Sequence, residues 1–386
     1  MTLLESSDEF TLIAEEAVDL GIDEPASPVQ RLDLAGLSAL AWGDAPASVV
    51  LIHGAGLNAH TWDSTALIWG EPALALDLPG HGDSPWRPDA DYSPQTIAPA
   101  VAAAIIEGVD AGALAPQLTV VGHSLGGLAA LQAADRLGSI LAALVLVDIL
   151  PLAGEPARQV TSFLNGPRDF ESVEAIVARA EAFGFGGGQA AGPVERRRLE
   201  RAVRLGTKQN TTGRVAWKHH LGVLGGKGVD PGSLEAGWDL IARLRAPLAL
   251  IHAERGIVGT EALDRLAAEV PSAQVRTIDS GHNPQEDAPF ALAGLLADLA
   301  ALPDLADSPG VSGPSGRARP VGPSGSADLP IPSEPPEPTG TPGLSDLPDQ
   351  PDPSQPPEPT IQSRPPEATG TIGHPQDISH HTTSAP

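Results

Sequence analysis

The chain contains no cysteine, one methionine and one tyrosine. Without cysteine there is no disulfide framework, no thiol nucleophile and no thiolate ligand for a metal. Basic residues are scarce: 23 Lys and Arg face 49 Asp and Glu, a formal net charge of −26. Such a surface repels nucleic acid and anionic membrane, so neither is expected as a partner. Long apolar runs are missing too. The Ala-rich stretch Ala98 to Ile106 is too short to cross a bilayer. Residues Met1 to Asp23 are acidic and lack the basic-then-apolar order of a signal peptide, so a cytoplasmic protein is expected.

The scarcity of aromatics becomes absolute at one end. From Leu302 to Pro386 there is no Phe, Trp or Tyr, while 21 of the 40 prolines fall there. That stretch cannot bury enough apolar surface to offset the entropy of ordering it, and is predicted to be a disordered Pro-rich tail. Its recurring Pro-Pro-Glu and Pro-Glu-Pro triplets suit polyproline II, with no partner indicated. The remaining 300 or so residues suit one α/β domain.

Within that domain short apolar runs alternate with amphipathic ones. The strand candidates are Ser48–His53, Ala73–Leu78, Leu118–Gly122, Ala142–Asp148, Ala246–His252 and Gln274–Ile278. Helical patterns cover Pro94–Val109, Gly126–Leu137, Thr260–Val270 and Ala288–Leu302. Near-continuous apolar strands separated by helices predict a mostly parallel central sheet with helices on both faces. Gln30 to Trp42, with Gly36 in its middle, reads as an opening antiparallel hairpin. The alternation breaks from Pro151 to Leu244, where patterns such as Phe170–Phe183 and Pro193–Leu205 predict a helical cap inserted over the sheet end. The expected division is an N-terminal extension (1–29), a core in two parts (30–150 and 245–301), the cap (151–244) and the tail (302–386).

The sharpest chemical signal is Gly122-His123-Ser124-Leu125-Gly126, which follows a strand and opens a helix. Glycines flanking such a turn let it close and project the serine hydroxyl. A hydroxyl needs a base, and Ser280-Gly281-His282-Asn283 places His282 after the last strand. Both residues then fall at the carboxyl edge of a parallel sheet. His53-Gly54-Ala55-Gly56 after the first central strand is small enough for backbone N–H groups to approach an oxyanion. Ala55 and Leu125 are the candidate donors, with His53, Gly54, His123 and Trp217 as further substrate-site candidates. His60 and Trp62 are candidates for the pocket or the core. The adjacent His219-His220 pair lacks partners at helical spacing, so no metal and no cofactor is expected.

Four landmarks occur in the order of the α/β-hydrolase family, which the chain resembles over about residues 30 to 300. They are His53-Gly54, the Asp77-Leu-Pro-Gly-His-Gly-Asp-Ser84 turn, the Gly122–Gly126 elbow and Gly281-His282. The resemblance implies a carboxylesterase-like serine hydrolase acting on a small-molecule ester, lactone or related carbonyl compound through an acyl-enzyme at Ser124. Carbon–carbon bond hydrolysis, perhydrolysis and a non-catalytic binding scaffold are the alternatives. Serine rather than aspartate at 124 speaks against epoxide hydrolysis and dehalogenation, and Tyr92, the single tyrosine, lies outside the cap. The family usually carries its triad acid after the strand that follows the cap, where this chain has Gly256. Two carboxylates are candidates instead: Asp148, at the end of the strand before the cap, and Glu254. Asp148 is preferred.

Overall fold

The computed structural model describes residues 7–22, 28–151, 166–182, 192–220 and 231–300. Helix α1 (Ser7–Asp19) is followed by β1 (Val29–Leu34) and β2 (Leu37–Trp42). These two form the expected antiparallel hairpin, closed at Ala35 and Gly36, which both have positive φ. Then come β3 (Ala47–Ile52), a 3-10 turn (Ala59–Trp62), α2 (Asp63–Trp69), β4 (Ala73–Leu76), α3 (Pro94–Asp110), β5 (Leu114–His123), α4 (Leu125–Leu137) and β6 (Leu141–Val147). Among the described residues eight strands make one sheet, in the order β1-β2-β4-β3-β5-β6-β10-β11, where β10 is Leu248–Arg255 and β11 is Gln274–Gly281. From β4 to β11 every pairing is parallel.

Alternating residues of the central strands feed opposite faces, as the pleat requires. Val50, Ile52, Val120, Leu144 and Leu250 join one core cluster with α3 and α4. Val49, Leu51, Val121, Val145 and Ile251 join the other, with Trp62, α2 and α10 (Pro289–Ala300). Each fully buried aliphatic side chain of this kind contributes about 1.5–3 kcal/mol through removal from water. The chain leaves β3 towards β4 on one side and reaches β5 on the other. That divergence opens a crevice at the carboxyl ends of the strands. No helix of the described residues is long and apolar enough to cross a membrane.

The region between β6 and β10 differs from its prediction. It holds α5 (Val173–Ala182) and α6 (Pro193–Leu205), but also a small antiparallel sheet, β7-β9-β8 (Asp169–Phe170, Val215–Trp217, Thr207–Gln209). The cap is therefore not purely helical. Helix α7 (Pro231–Arg243), placed in the cap by the sequence, instead packs against α4 and sets Trp238 and Ile241 in the main core. The glycine runs at 186–188 and 225–226 and the tail from Leu302 lie outside the described residues. After β10 come α8 (Thr260–Glu269), β11 and the single turn α9 (Pro284–Asp287).

The N-terminal extension is also more than a leader. Helix α1 buries Ile13 and Ala17, and Glu16 is 7% exposed. Glu16 receives Arg201 and, at 3.0 Å, Arg198, both from α6, together with the Ser64 hydroxyl of α2. Arg201 also meets Asp19 at 2.7 Å. One buried carboxylate thus ties the cap helix α6 to the core through α1. Nearby, Glu9 joins Arg31 at 2.6 Å and His60 at 3.2 Å, and His60 meets Asp63 at 2.9 Å. Burial alone would depress the His60 imidazole, but Asp63 and then Glu9 outweigh it and raise it to about 9. Burial would raise Glu9, but His60 and Arg31 pull it down to about 2.

Two stability measurements follow. Glu16→Ala leaves Arg201 and Arg198 without their shared carboxylate, and urea unfolding should show a loss of about 3 kcal/mol, the usual cost of breaking a buried pair. The His60 contribution has the sign of a cation stabilised by folding, because its pKa rises from 6.5 to about 9. It is complete below pH 6.5 and is lost as pH climbs through 9. The urea midpoint should therefore fall over that interval in the wild type, and less so in His60→Gln.

Candidate active site

Ser124 sits between the end of β5 and the first residue of α4, with φ 50° and ψ −120°. This is a strained conformation for a residue with a side chain, and the packing around it enforces it. A Cβ on Gly126 would lie 2.5 Å from the Ile52 and His53 carbonyl oxygens, and one on Gly122 would lie 2.5 Å from the Gly127 Cα. Only glycine lets β3, β5 and α4 close on one another there. The helix then starts directly behind the serine, and the Leu125 N–H, first in α4, has no acceptor within the helix.

His282 follows β11 and reaches back across the sheet edge. Its Nε2 lies 3.1 Å from Ser124 Oγ, and its Nδ1 lies 2.8 Å from Asp148 Oδ2. A carboxylate only accepts, so Nδ1 carries the proton and Nε2 presents a lone pair to the hydroxyl. Asp148 is fully buried. Its Oδ1 accepts the Ala253 N–H at 3.2 Å, and its Oδ2 accepts the Ile257 N–H at 2.8 Å. The empty-looking position 256 now has a physical reason. A Cβ on Gly256 would fall 2.1 to 2.4 Å from the Asp148 carboxyl group. The carboxylate from β6 fills the space that a side chain at 256 would occupy. Glu254, the other candidate, is exposed at the end of β10.

Opposite the serine, the Gly54–Ala55 peptide is oriented by its carbonyl. His53 Nδ1–H donates to Gly54 O at 2.7 Å, and Leu57 N–H does so at 3.2 Å. In a trans peptide the N–H points away from the preceding C=O, so the Ala55 N–H faces the other way. No main-chain acceptor for it occurs among the described residues. His53 Nε2 accepts the Leu78 N–H at 3.0 Å, which ties the turn to the Asp77–Ser84 segment. Burial depresses the His53 imidazole to about 4, so it stays neutral. His53 was a substrate-site candidate, but both its ring nitrogens are engaged within the protein. It orients the turn from behind. His123 is likewise buried, 1% exposed, with its Nε2 bonded to the His282 carbonyl.

Several residues serve docking rather than the site. Trp62 is fully buried in the core, and His60 belongs to the ion network. Trp217 lies on β9 against Phe170 and stacks on His219 at 5.4 Å. His219 in turn lies 6.5 Å from His81, and His81 lies 5.1 Å from His53. This ladder of rings joins the cap to the His53–Ala55 turn. Burial holds both His81 and His219 near 3, so its imidazoles are uncharged. His220 stacks on Trp86 at 4.4 Å, accepts the Tyr92 hydroxyl at 2.8 Å and donates its backbone N–H to Gly80 O. The Asp77–Ser84 turn, with Trp86 and Tyr92 beyond it, is therefore where the cap is fastened. Nothing in the sequence pattern signalled this, because the partners are far apart along the chain. Among the described residues no group of three or more His, Asp or Glu is arranged to hold a metal ion.

The profile of the alpha/beta hydrolase family matches residues 49–295. The chain is similar to the esterase Rv0045c of Mycobacterium tuberculosis, with 35% identity over 297 residues, 74% of this chain and 93% of that protein. A crystal structure of that esterase covers 78% of this chain and 100% of its own, at 32% identity and a TM-score of 0.64. Protein phosphatase methylesterase 1 of Bos taurus is 34% identical over 136 residues, 33% of this chain and 35% of that protein.

The glycine at 256 provides a direct test of the Asp148 arrangement. Gly256→Ala should push the carboxylate off His282 and lower ester turnover by about 10²-fold, the usual cost of a displacement near 1 Å. Unchanged turnover would mean that the Asp148 position does not matter to the reaction.

Proposed function

Because this chain belongs to the α/β-hydrolase family and is an ester hydrolase of it, we propose that it cleaves small-molecule esters through an acyl-enzyme at Ser124, in the cytoplasm and without a cofactor. The observation that carries this reading is the position of His282, 3.1 Å from the Ser124 hydroxyl and 2.8 Å from the Asp148 carboxylate. His282 Nε2 takes the hydroxyl proton as Ser124 Oγ attacks the carbonyl carbon. The carbonyl electrons pass to the oxygen, which the Ala55 and Leu125 N–H groups receive. Collapse of this intermediate expels the alcohol, which leaves with the proton from His282. Water then attacks the acyl-enzyme, gives a proton to His282, and the carboxylic acid departs as Ser124 regains its proton. Asp148 keeps the proton on Nδ1 and balances the imidazolium.

The gap at Gly256 was the argument for a non-catalytic scaffold. The Asp148 carboxylate occupies that space, which supports a working site instead.

A panel of small esters and lactones, with fluorophosphonate labelling, tests the reading. Ser124→Ala should neither hydrolyse nor be labelled. Asp148→Asn leaves the imidazole in the wrong tautomer and should lower kcat by about 10⁴-fold, as in serine proteases. Glu254→Gln should leave kcat unchanged. A Ser124→Ala protein with wild-type turnover would remove the proposal.

A further inference from the structure

His123 occupies the position before the serine, and the mechanism above gives it no task. Its surroundings are nevertheless more constrained than those of a packing residue. The ring is 1% exposed, and its Nε2 lies 2.8 Å from the main-chain carbonyl oxygen of His282. That carbonyl can only accept, so Nε2 must carry the proton and Nδ1 must present a lone pair. Burial, reinforced by the neighbouring His282, holds the ring well below the ordinary imidazole range, so it carries one proton only. The Nδ1 lone pair faces the side-chain amide of Gln285 in α9, at 3.5 Å from Nε2.

Gln285 is itself buried, and its Nε2 also points at Thr61 Oγ1, 3.4 Å away. The Thr61 hydroxyl donates onward to Glu286 at 3.3 Å. Gln285 Oε1 finds no partner among the described residues. The amide keeps this orientation because the flipped one would set an oxygen against the His123 lone pair. The donors therefore run in one direction, from Gln285 to His123 and from His123 to His282. The Nδ1 edge of the ring also lies close against the oxyanion turn, since a Cβ on Gly54 would fall 2.6 Å from His123 Nδ1. The His123 and His282 rings lie 4.8 Å apart, tilted by 47°. His123 thus touches the elbow, the oxyanion turn and the loop of the base, with no ring atom free for substrate.

We propose that His123 is a positioning residue for the reaction: oriented by Gln285, it holds the His282 main chain so that the base meets Ser124 and the oxyanion turn stays in register with both. This rests on the acyl-enzyme reading above. The device acts on geometry, so it should appear in the chemical step rather than in substrate binding.

The test uses the full chain and four variants: His123→Phe, which keeps the ring and loses the donor; His123→Gln, which restores an N–H; Gln285→Leu; and Ser124→Ala. His123→Phe should lower kcat by about 10- to 10²-fold with KM within about twofold, as expected for a small displacement of the base. His123→Gln should recover most of the loss, and Gln285→Leu should show the same pattern at smaller size. The rate of fluorophosphonate labelling should fall in parallel with kcat, while urea midpoints show whether each variant is folded. The proposal is overturned if folded His123→Phe keeps wild-type kcat. It is equally overturned if the loss falls on KM, or if folded His123→Gln is no better than His123→Phe. Wild-type turnover in Ser124→Ala would instead sink the acyl-enzyme reading, so the two failures are distinct.

Discussion

A carboxylate with no water around it must find its hydrogen bonds inside the protein, and Asp148 finds them on two other stretches of chain. It stands at the end of β6, takes N–H groups from Ala253 and Ile257 around the end of β10, and receives the His282 imidazole after β11. These contacts set the spacing of the sheet edge where the site is built. They fix the tautomer of His282, and they explain why position 256 carries no side chain. Asp148 has a positive φ of 45°, close to that of Ser124 at 50°. The two strained residues directly follow neighbouring parallel strands, β5 and β6.

The parts of this arrangement with local signatures were legible in the sequence. The elbow is a short motif between a strand and a helix, and both flanks could be read. Gly36 announced the hairpin, and the continuous apolar runs announced a sheet covered on both faces. His282 was found by its place after the last strand. The carboxylate partner of His282 was narrowed to two residues with Asp148 preferred, and the sequence could go no further, since the pairing depends on which carboxylate shares space with Gly256, a relation between β6 and β10 that no spacing encodes. Asp148 and Glu254 differ in the structure by burial, and burial of a charge is a property of the assembled fold.

Other features left no local trace. Helix α1 reads as an acidic extension, because the arginines that neutralise Glu16 and Asp19 lie in α6, far along the chain. The three short strands of the cap are too brief for an alternating pattern to emerge. The roles of His53 and His123 were misplaced towards substrate for a similar reason. The sequence places both histidines beside the glycine turns, and burial in the folded chain makes each a neutral hydrogen-bonding strut.

The position of Asp148 ahead of the cap has a bearing on how such a protein can change over generations. Ser124 and Asp148 come from one uninterrupted stretch of the chain, β5 to the end of β6, and the loop after β10 lends Asp148 only backbone. The inserted cap can therefore be lengthened, trimmed or replaced without any covalent path between serine and aspartate running through it. Only the histidine lies downstream, and it is tied back to both by hydrogen bonds rather than by sequence distance. The Ser124–His282–Asp148 cluster and the inserted segment can be inherited as separate parts.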